Sequence, residues 1–216
     1  MESLRSHPGL TPRVNAHLDL VDYRRQVFDI YRSVRGGRGR TAWKQWIDDR
    51  DRLFATHPQT PLDDPGSFTG LHYYDYDPAF RVLARVDGAS DVDEVDQGHS
   101  GVTRFLEIGR LTFSLAGADH TLSLLWLDAY GGGLFLPFRD LTNGDTTYGG
   151  GRYLLDTVKG ADLGRRGDDL ILDFNFAYHP SCVHSNRWSC PLAPPENHLE
   201  IAITAGERLS TPNVPG

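Results

Sequence analysis

Both cysteines of the chain, Cys182 and Cys190, fall inside DFNFAYHPSCVHSNRWSCPL (Asp173–Leu192), together with His179, His184 and Arg187. Four kinds of chemistry could use such a stretch. Zinc accepts thiolate and imidazole ligands, but the spacing H-x2-C-x-H-x5-C is no usual knuckle pattern and leaves little chain to wrap a tetrahedron. A disulfide would need the two Cα atoms within about 7 Å. A nucleophilic Cys182 would need its pKa lowered by His179 or His184, and no separate group stands ready to orient either ring. Two thiols packed as small apolar side chains are the plainest alternative. In the same stretch Asp173 and Asn175 alternate with Phe174 and Phe176, so they share a face near Tyr178.

Two further segments carry convergent polar groups. PFRDLTNGDTTYGGGRYL (Pro137–Leu154) holds Arg139, Asp140, Tyr148, three glycines in series, Arg152 and Tyr153. Serial backbone N–H groups can cradle an anion, and two guanidinium forks could close on it. A bulged loop with internal ion pairs is the bland counterpart. The Lys-Ser/Thr pair of a phosphate-binding P-loop is missing, and so is the βαβ setting of a dinucleotide fingerprint. CPLAPPENHLEIAITAGE (Cys190–Glu207) offers Glu196 and Asn197 beside an expected final strand, either as acid/base and orienter or as a tie to neighbouring backbone.

The elements that must position these groups read as mainly β with N-terminal helices, an α+β chain whose antiparallel barrel or sandwich is packed by two helices. Leu20, Tyr23, Val27, Ile30 and Val34 form one helical face, ended by Gly36-Gly37. A second helix is expected over 41–56, with Trp43, Ile47, Leu53 and Phe54 on its apolar side and His57-Pro58 as its stop. From Phe68 the period becomes two, with strands expected at 80–86, 102–108, 110–115, 121–127, 131–138, 153–157, 169–174 and 199–204. The acidic segment Asp87–Gly98 reads as a solvated hairpin tip, since its spacing does not match a calcium loop. Residues 1–14 read as a flexible N-terminus and 15–216 as one globular domain, with helices over 19–57 and the β-rich body over 68–207.

The bulk numbers agree with a globular chain of 216 residues, 39% hydrophobic and 24% charged, and its 23 glycines and 13 prolines suit a turn-rich β body. A net charge of −7 disfavours nucleic acid and anionic membrane as partners. The cationic run Arg35–Arg40 (RGGRGR) reads as a solvated loop between helices rather than a phosphate cradle. The first residues lack the apolar core of a secretory signal, and no stretch reaches the ~20 apolar residues of a membrane span. The expected location is the cytoplasm, with both cysteines as thiols.

Five stretches resemble the family known as domain of unknown function 1684: HPQTPL (57–62), FTGLHYYDYDPAFR (68–81), LFLPFRDLTNGDTTYGGGRYL (134–154), LDFNFAYHPSCVHSNRWSCPLAPPENHL (172–199) and AGE (205–207). The resemblance implies a one-domain protein of unassigned activity and supplies no substrate. It implies that the two Cys positions belong to the motif, whereas those of His179 and His184 are commonly Asn or Tyr, which makes the histidines poor metal ligands. Carried over by position, it favours Arg139, Asp140, Tyr148, Arg152, Tyr153, Asp173, Asn175, Tyr178, Cys182, Cys190, Glu196 and Asn197.

The function expected from these residues is binding of a small anionic molecule where strand ends meet. Arg139, Asp140, Tyr148, Arg152, Tyr153, Asn175 and Asn197 would form the binding shell, with Asp173, Glu196, Tyr178 and Cys182 as candidate catalytic groups. No cofactor is expected and no metal site is assigned. Hydrolase or lyase chemistry fits better than redox, for which a flavin site without a sequence signature is the one alternative. A homo-oligomer is compatible with the sequence. The competing readings are a non-catalytic scaffold with a buried, fully paired polar network, in which both guanidiniums are consumed, and a thiol or metal protein.

Overall fold

The computed structural model describes residues 12–95 and 104–210. Two helices come first, α1 (Pro12–Gly36) and α2 (Gly39–Thr56). Both are longer than their apolar stripes suggested. The stripe of α1 buries its C-terminal half: Ile30, Tyr31 and Val34 are inside, whereas Leu20 is exposed. In α2, Trp43, Trp46, Leu53 and Phe54 are buried, and His57 leaves the helix in extended backbone ahead of Pro58.

Nine strands follow among the described residues: β1 (His72–Tyr73), β2 (Arg81–Val95), β3 (Phe105–Leu115), β4 (Ala118–Leu127), β5 (Leu134–Phe138), β6 (Arg152–Asp156), β7 (Arg165–Arg166), β8 (Asp169–Asp173) and β9 (Glu207–Arg208). Seven of them form one curled, half-barrel antiparallel sheet in the order β6-β5-β4-β3-β2-β8-β7. The sheet ends at β6 on one side and β7 on the other, so among the described residues it is a half-barrel that does not close into the expected barrel or sandwich. β2 joins its halves, pairing residues 81–84 with β8 and residues from Arg85 onward with β3. Register shifts between Glu107 and Gly109 and between Leu136 and Pro137 increase local bend and twist, as bulges do. The first of them also explains why two strands expected at 102–108 and 110–115 are one.

Other expectations shift for physical reasons. In β3 Leu111, Phe113 and Leu115 are buried, as their alternation required. The acidic segment expected as a hairpin tip is in β2 as far as Val95, and its remainder lies outside the described residues. Of the expected flexible N-terminus, residues 12–14 are helical and the rest lie outside the description. No strand forms at 199–204. That segment instead ties to the exit of β5 through Arg139 N–H to Asn197 O at 2.8 Å, Leu199 N–H to Arg139 O at 2.8 Å and Leu141 N–H to Ile201 O at 3.1 Å. β1 and β9, each two residues long, pair away from the main sheet and bring the segment after α2 to the C-terminal end of the described chain.

The main core lies on the sheet, around Leu111, Phe113, Leu136, Phe138, Leu172 and Phe174. A second one joins the helices to the body through Tyr31, Trp43, Trp46, Leu53 and Phe176. Trp46 is wholly buried, with its ring edge-to-face against Tyr73 and Phe176. Truncating such a side chain costs about 3–5 kcal/mol, so helix docking rests heavily on this contact.

Candidate functional site

Arg152 is fully buried at the start of β6. One Nη donates to Asp140 Oδ2 at 2.9 Å and Ile203 O at 2.8 Å; the other donates to Ala205 O at 2.5 Å and Glu207 O at 3.2 Å. Only its Nε lacks a partner. Asp140 Oδ1 accepts from the Thr142 N–H (2.9 Å), the Thr142 hydroxyl (2.6 Å) and the Ile203 N–H (3.2 Å), so the pair is almost fully satisfied. Gly151 makes this entry possible: it has φ +99, and a Cβ there would strike Phe138 O. Arg139 sits one residue before Asp140 but is exposed. The two arginines therefore form no clamp.

The two buried asparagines act as backbone mimics. Asn197 pairs with both the N–H (2.7 Å) and C=O (3.0 Å) of Ser123 and also donates to Pro137 O at 2.8 Å. Asn175 pairs likewise with the N–H (2.9 Å) and C=O (2.7 Å) of Asp77, and its Nδ2 reaches Asp173 at 2.8 Å. Asp173 also accepts from Arg81 at 3.1 Å, and burial raises its pKa. Glu196 is exposed on a short 3-10 turn. Arg152, Asp173 and Glu196 share no cavity lining, so the single hollow expected from the sequence is corrected to separate locations.

A second buried arginine–carboxylate pair was not anticipated. Arg50, in the middle of α2, donates to Glu207 Oε2 at 2.9 Å and to the Tyr73 hydroxyl. Its guanidinium lies 4.6 Å from the Trp46 ring centroid and 5.3 Å from that of Tyr178, a favourable cation–π setting. Glu207 Oε2 also accepts from the His179 N–H at 3.1 Å. Its Oε1 stands 3.4 Å from His179 Nδ1 and 3.6 Å from His184 Nε2. Because His179 Nε2 accepts from the Tyr148 N–H at 3.2 Å, the neutral ring carries its proton on Nδ1, toward Glu207. Burial opposes ionisation of Glu207, but Arg50 and the two histidines outweigh it and hold the carboxyl well below its usual range. Gly206 places this residue: with φ +79, its backbone approaches Phe174 O and Ala177 O so closely that a Cβ would lie 2.6 Å from each.

Cavities flank this pair. An inner chamber of about 70 Å³ is walled by Tyr31, Arg50, Tyr178 and His179 among others. It shares Tyr23, Lys159, Tyr178 and Ser181 with an outer chamber of about 340 Å³, whose walls include Tyr153, Trp188, Cys190 and Pro191. On the other side of Glu207 a cleft of about 370 Å³ is lined by His72, His179, His184 and Glu207. Among the described residues the buried hydroxyls of Tyr31 and Tyr178 meet no partner in full hydrogen-bond geometry, though the Trp46 N–H lies close enough to Tyr31 to act on it. Burial raises both phenol pKa values, so both remain O–H donors at neutral pH.

The cysteine-bearing stretch is thus a wall. Residues 178–181 and 188–191 line the two chambers, and Tyr153 donates to Pro191 O at 2.6 Å to hold the outer part in place. Both cysteines are free, with Cys182 N–H directed at Cys190 Sγ at 3.3 Å. Burial and the neighbouring thiol push Cys182 up to about 11, which leaves almost no thiolate at neutral pH. Among the described residues no group of three or more His, Cys, Asp and Glu is arranged to hold a metal ion, and no helix is long and apolar enough to cross a membrane.

A signal for Arg50 was present in the sequence: Trp46, Arg50 and Phe54 recur at steps of four, which puts a charge on an apolar helical face. A lone arginine there calls for a buried counter-charge, and Glu207 stood in the AGE segment.

The family model described as protein of unknown function (DUF1684) matches residues 66–208. The solution NMR structure of an uncharacterized protein from Haloarcula marismortui is similar, with 38% identity over 78% of this chain and 93% of that one and a TM-score of 0.55. No curated protein matches the chain.

Proposed function

The chain belongs to the DUF1684 family, described as of unknown function, and from its own geometry we propose that it binds a small molecule in the two adjacent chambers, the inner of which Arg50 walls. A carboxylate or carbonyl oxygen of the ligand sits between the hydroxyls of Tyr31 and Tyr178. Its less polar remainder lies along Tyr153, Trp188 and Pro191.

The observation that carries this reading is a cavity walled by Tyr31, Tyr178 and Arg50, in which both tyrosines hold buried phenols without a partner in hydrogen-bond geometry among the described residues. A buried donor without a partner costs about 1–3 kcal/mol, and a ligand acceptor removes that cost. Two protonated phenols select for an acceptor, a carboxylate among them, while the Arg50 charge is already matched by Glu207. The expected anionic-ligand function is thereby kept, with Tyr178 and Tyr153 in it and Arg50 in place of Arg139 and Arg152.

Of the candidate catalytic groups, Asp173 and Glu196 do not line the chambers, and Cys182 is held as a thiol. Binding is therefore proposed ahead of hydrolase or lyase chemistry. The second reading, a scaffold specified by polar pairing, is favoured by the near-saturated Arg152–Asp140 network.

A thermal-shift screen of carboxylate and carbonyl metabolites separates the two. A ligand at a hundredfold over its Kd adds about 2.7 kcal/mol. That gain should shrink in Tyr31→Phe and Tyr178→Phe and persist in Arg139→Ala. Stabilisation by no compound, or an unchanged gain in both tyrosine variants, rules the cavity out.

A further inference from the structure

A third site has a different character. Where the turn between α1 and α2 meets β7 and β8, a groove of about 410 Å³ is lined by Arg35, Arg38, Arg81 and Arg166, with Asp173 as the only carboxylate on its wall. Four guanidiniums around one groove are unexpected in a chain of net charge −7. Two are already engaged. Arg35 donates to Asp162 O at 2.9 Å and its Oδ2 at 3.1 Å, and Arg81 reaches Asp173 at 3.1 Å. Arg38 and Arg166 are exposed and have no side-chain partner among the described residues. Two cations without a side-chain partner thus line one groove whose wall holds a single carboxylate, Asp173. The start of α2 lies at the same groove, beside the end of α1, whose partial charge is of opposite sign. Arg38 is the N-cap of α2 without a side-chain cap bond, and the first turn holds no acid. The first N–H groups of a helix lack intrahelical acceptors and carry partial positive charge.

We propose that this groove is a second ligand site, for the phosphate group of a small phosphorylated molecule, held by Arg38 and Arg166 with Arg35 and Arg81 completing the field. The RGGRGR run is then one wall of a phosphate site, whose other walls come from β2, β7 and β8, rather than a solvated loop. Planar guanidinium forks match phosphate oxygens bidentately, and a dianion uses more of them than a single carboxylate does.

Inorganic pyrophosphate serves as the probe, titrated calorimetrically at low ionic strength into the wild type, the double variant R38Q/R166Q, and R85Q. Arg85 is an exposed arginine paired to Asp87, outside the groove. The double variant should bind at least about tenfold more weakly, and R85Q should match the wild type. Without pyrophosphate the melting temperature of the double variant should equal or exceed that of the wild type, since no side-chain bond has been lost. No binding to the wild type, or equal affinity in all three proteins, overturns the proposal. A double variant that melts lower without the probe overturns it too, by showing that these arginines hold the fold.

Discussion

Arg152 and Arg50 are both buried and each faces a carboxylate, yet their surroundings differ. Arg152 is enclosed by three backbone carbonyls and Asp140, and lines none of the cavities described. Arg50 is bounded by aromatic faces and lines a cavity, and the phenols of Tyr31 and Tyr178, which share that lining, have no partner in hydrogen-bond geometry among the described residues. Burying a charge is costly in both places. At the first the surroundings answer nearly every donor, and the result is a fixed chain path. At the second donors are left over, which is the condition a ligand can exploit.

The sharpest way to break this contrast is to remove one partner from each pair. Asp140→Ala leaves Arg152 without its counter-charge in a site water cannot enter. It should cost about 3–5 kcal/mol in denaturant unfolding. Glu207→Gln keeps the shape and removes the charge, and should cost about 3 kcal/mol at pH 7. Glu207 has a depressed pKa in the folded state, so its contribution is present above the usual carboxylate range and is lost as pH falls below that range through the folded value. The stability gap between wild type and Glu207→Gln should therefore narrow in unfolding curves taken at successively lower pH. A gap that stays constant with pH would remove the ionised carboxylate from the account.

Tyr31→Phe tests the surplus donors. Without ligand it should be neutral or stabilising by about 1 kcal/mol, because an unsatisfied hydroxyl is removed. A loss of more than that would reveal a partner for the phenol. Arg139→Ala should have the smallest effect, within about 0.5 kcal/mol by thermal melting, as expected for an exposed side chain with no bond to lose. A larger loss would make the outer arginine part of the network.

The helices were legible because a stripe such as Tyr23, Val27, Ile30 and Val34 reports only local geometry. The strands were legible wherever residues alternated, as at Leu111, Phe113 and Leu115. The segment at 199–204 misled because its apolar residues, Leu199, Ile201 and Ile203, are packed on the core by side-chain and carbonyl ties from Asp140, Arg139 and Arg152 rather than by a ladder. Asn197 turned out to be the backbone tie that was one of its two readings. The convergence of Arg139 with Arg152 failed for a simpler reason: the sequence shows that two cations are near in the chain, and says nothing of which one points inward. Arg50 and Glu207 escaped notice because each makes sense only with the other, and 157 positions separate them. The histidines illustrate the same limit. Read as substitutable positions, His179 and His184 look dispensable, yet in this chain both rings face Glu207.

That separation also sets an order on the making of the protein. Arg50 is made 157 residues before Glu207, the residue that neutralises it, and lies in a helix with a marked apolar face. Until then the helical pair has neither its counter-ion nor the β1–β9 clasp, and its aromatic face is open to water. The arrival of Glu207 and β9, rather than any earlier step, is when the two segments can lock.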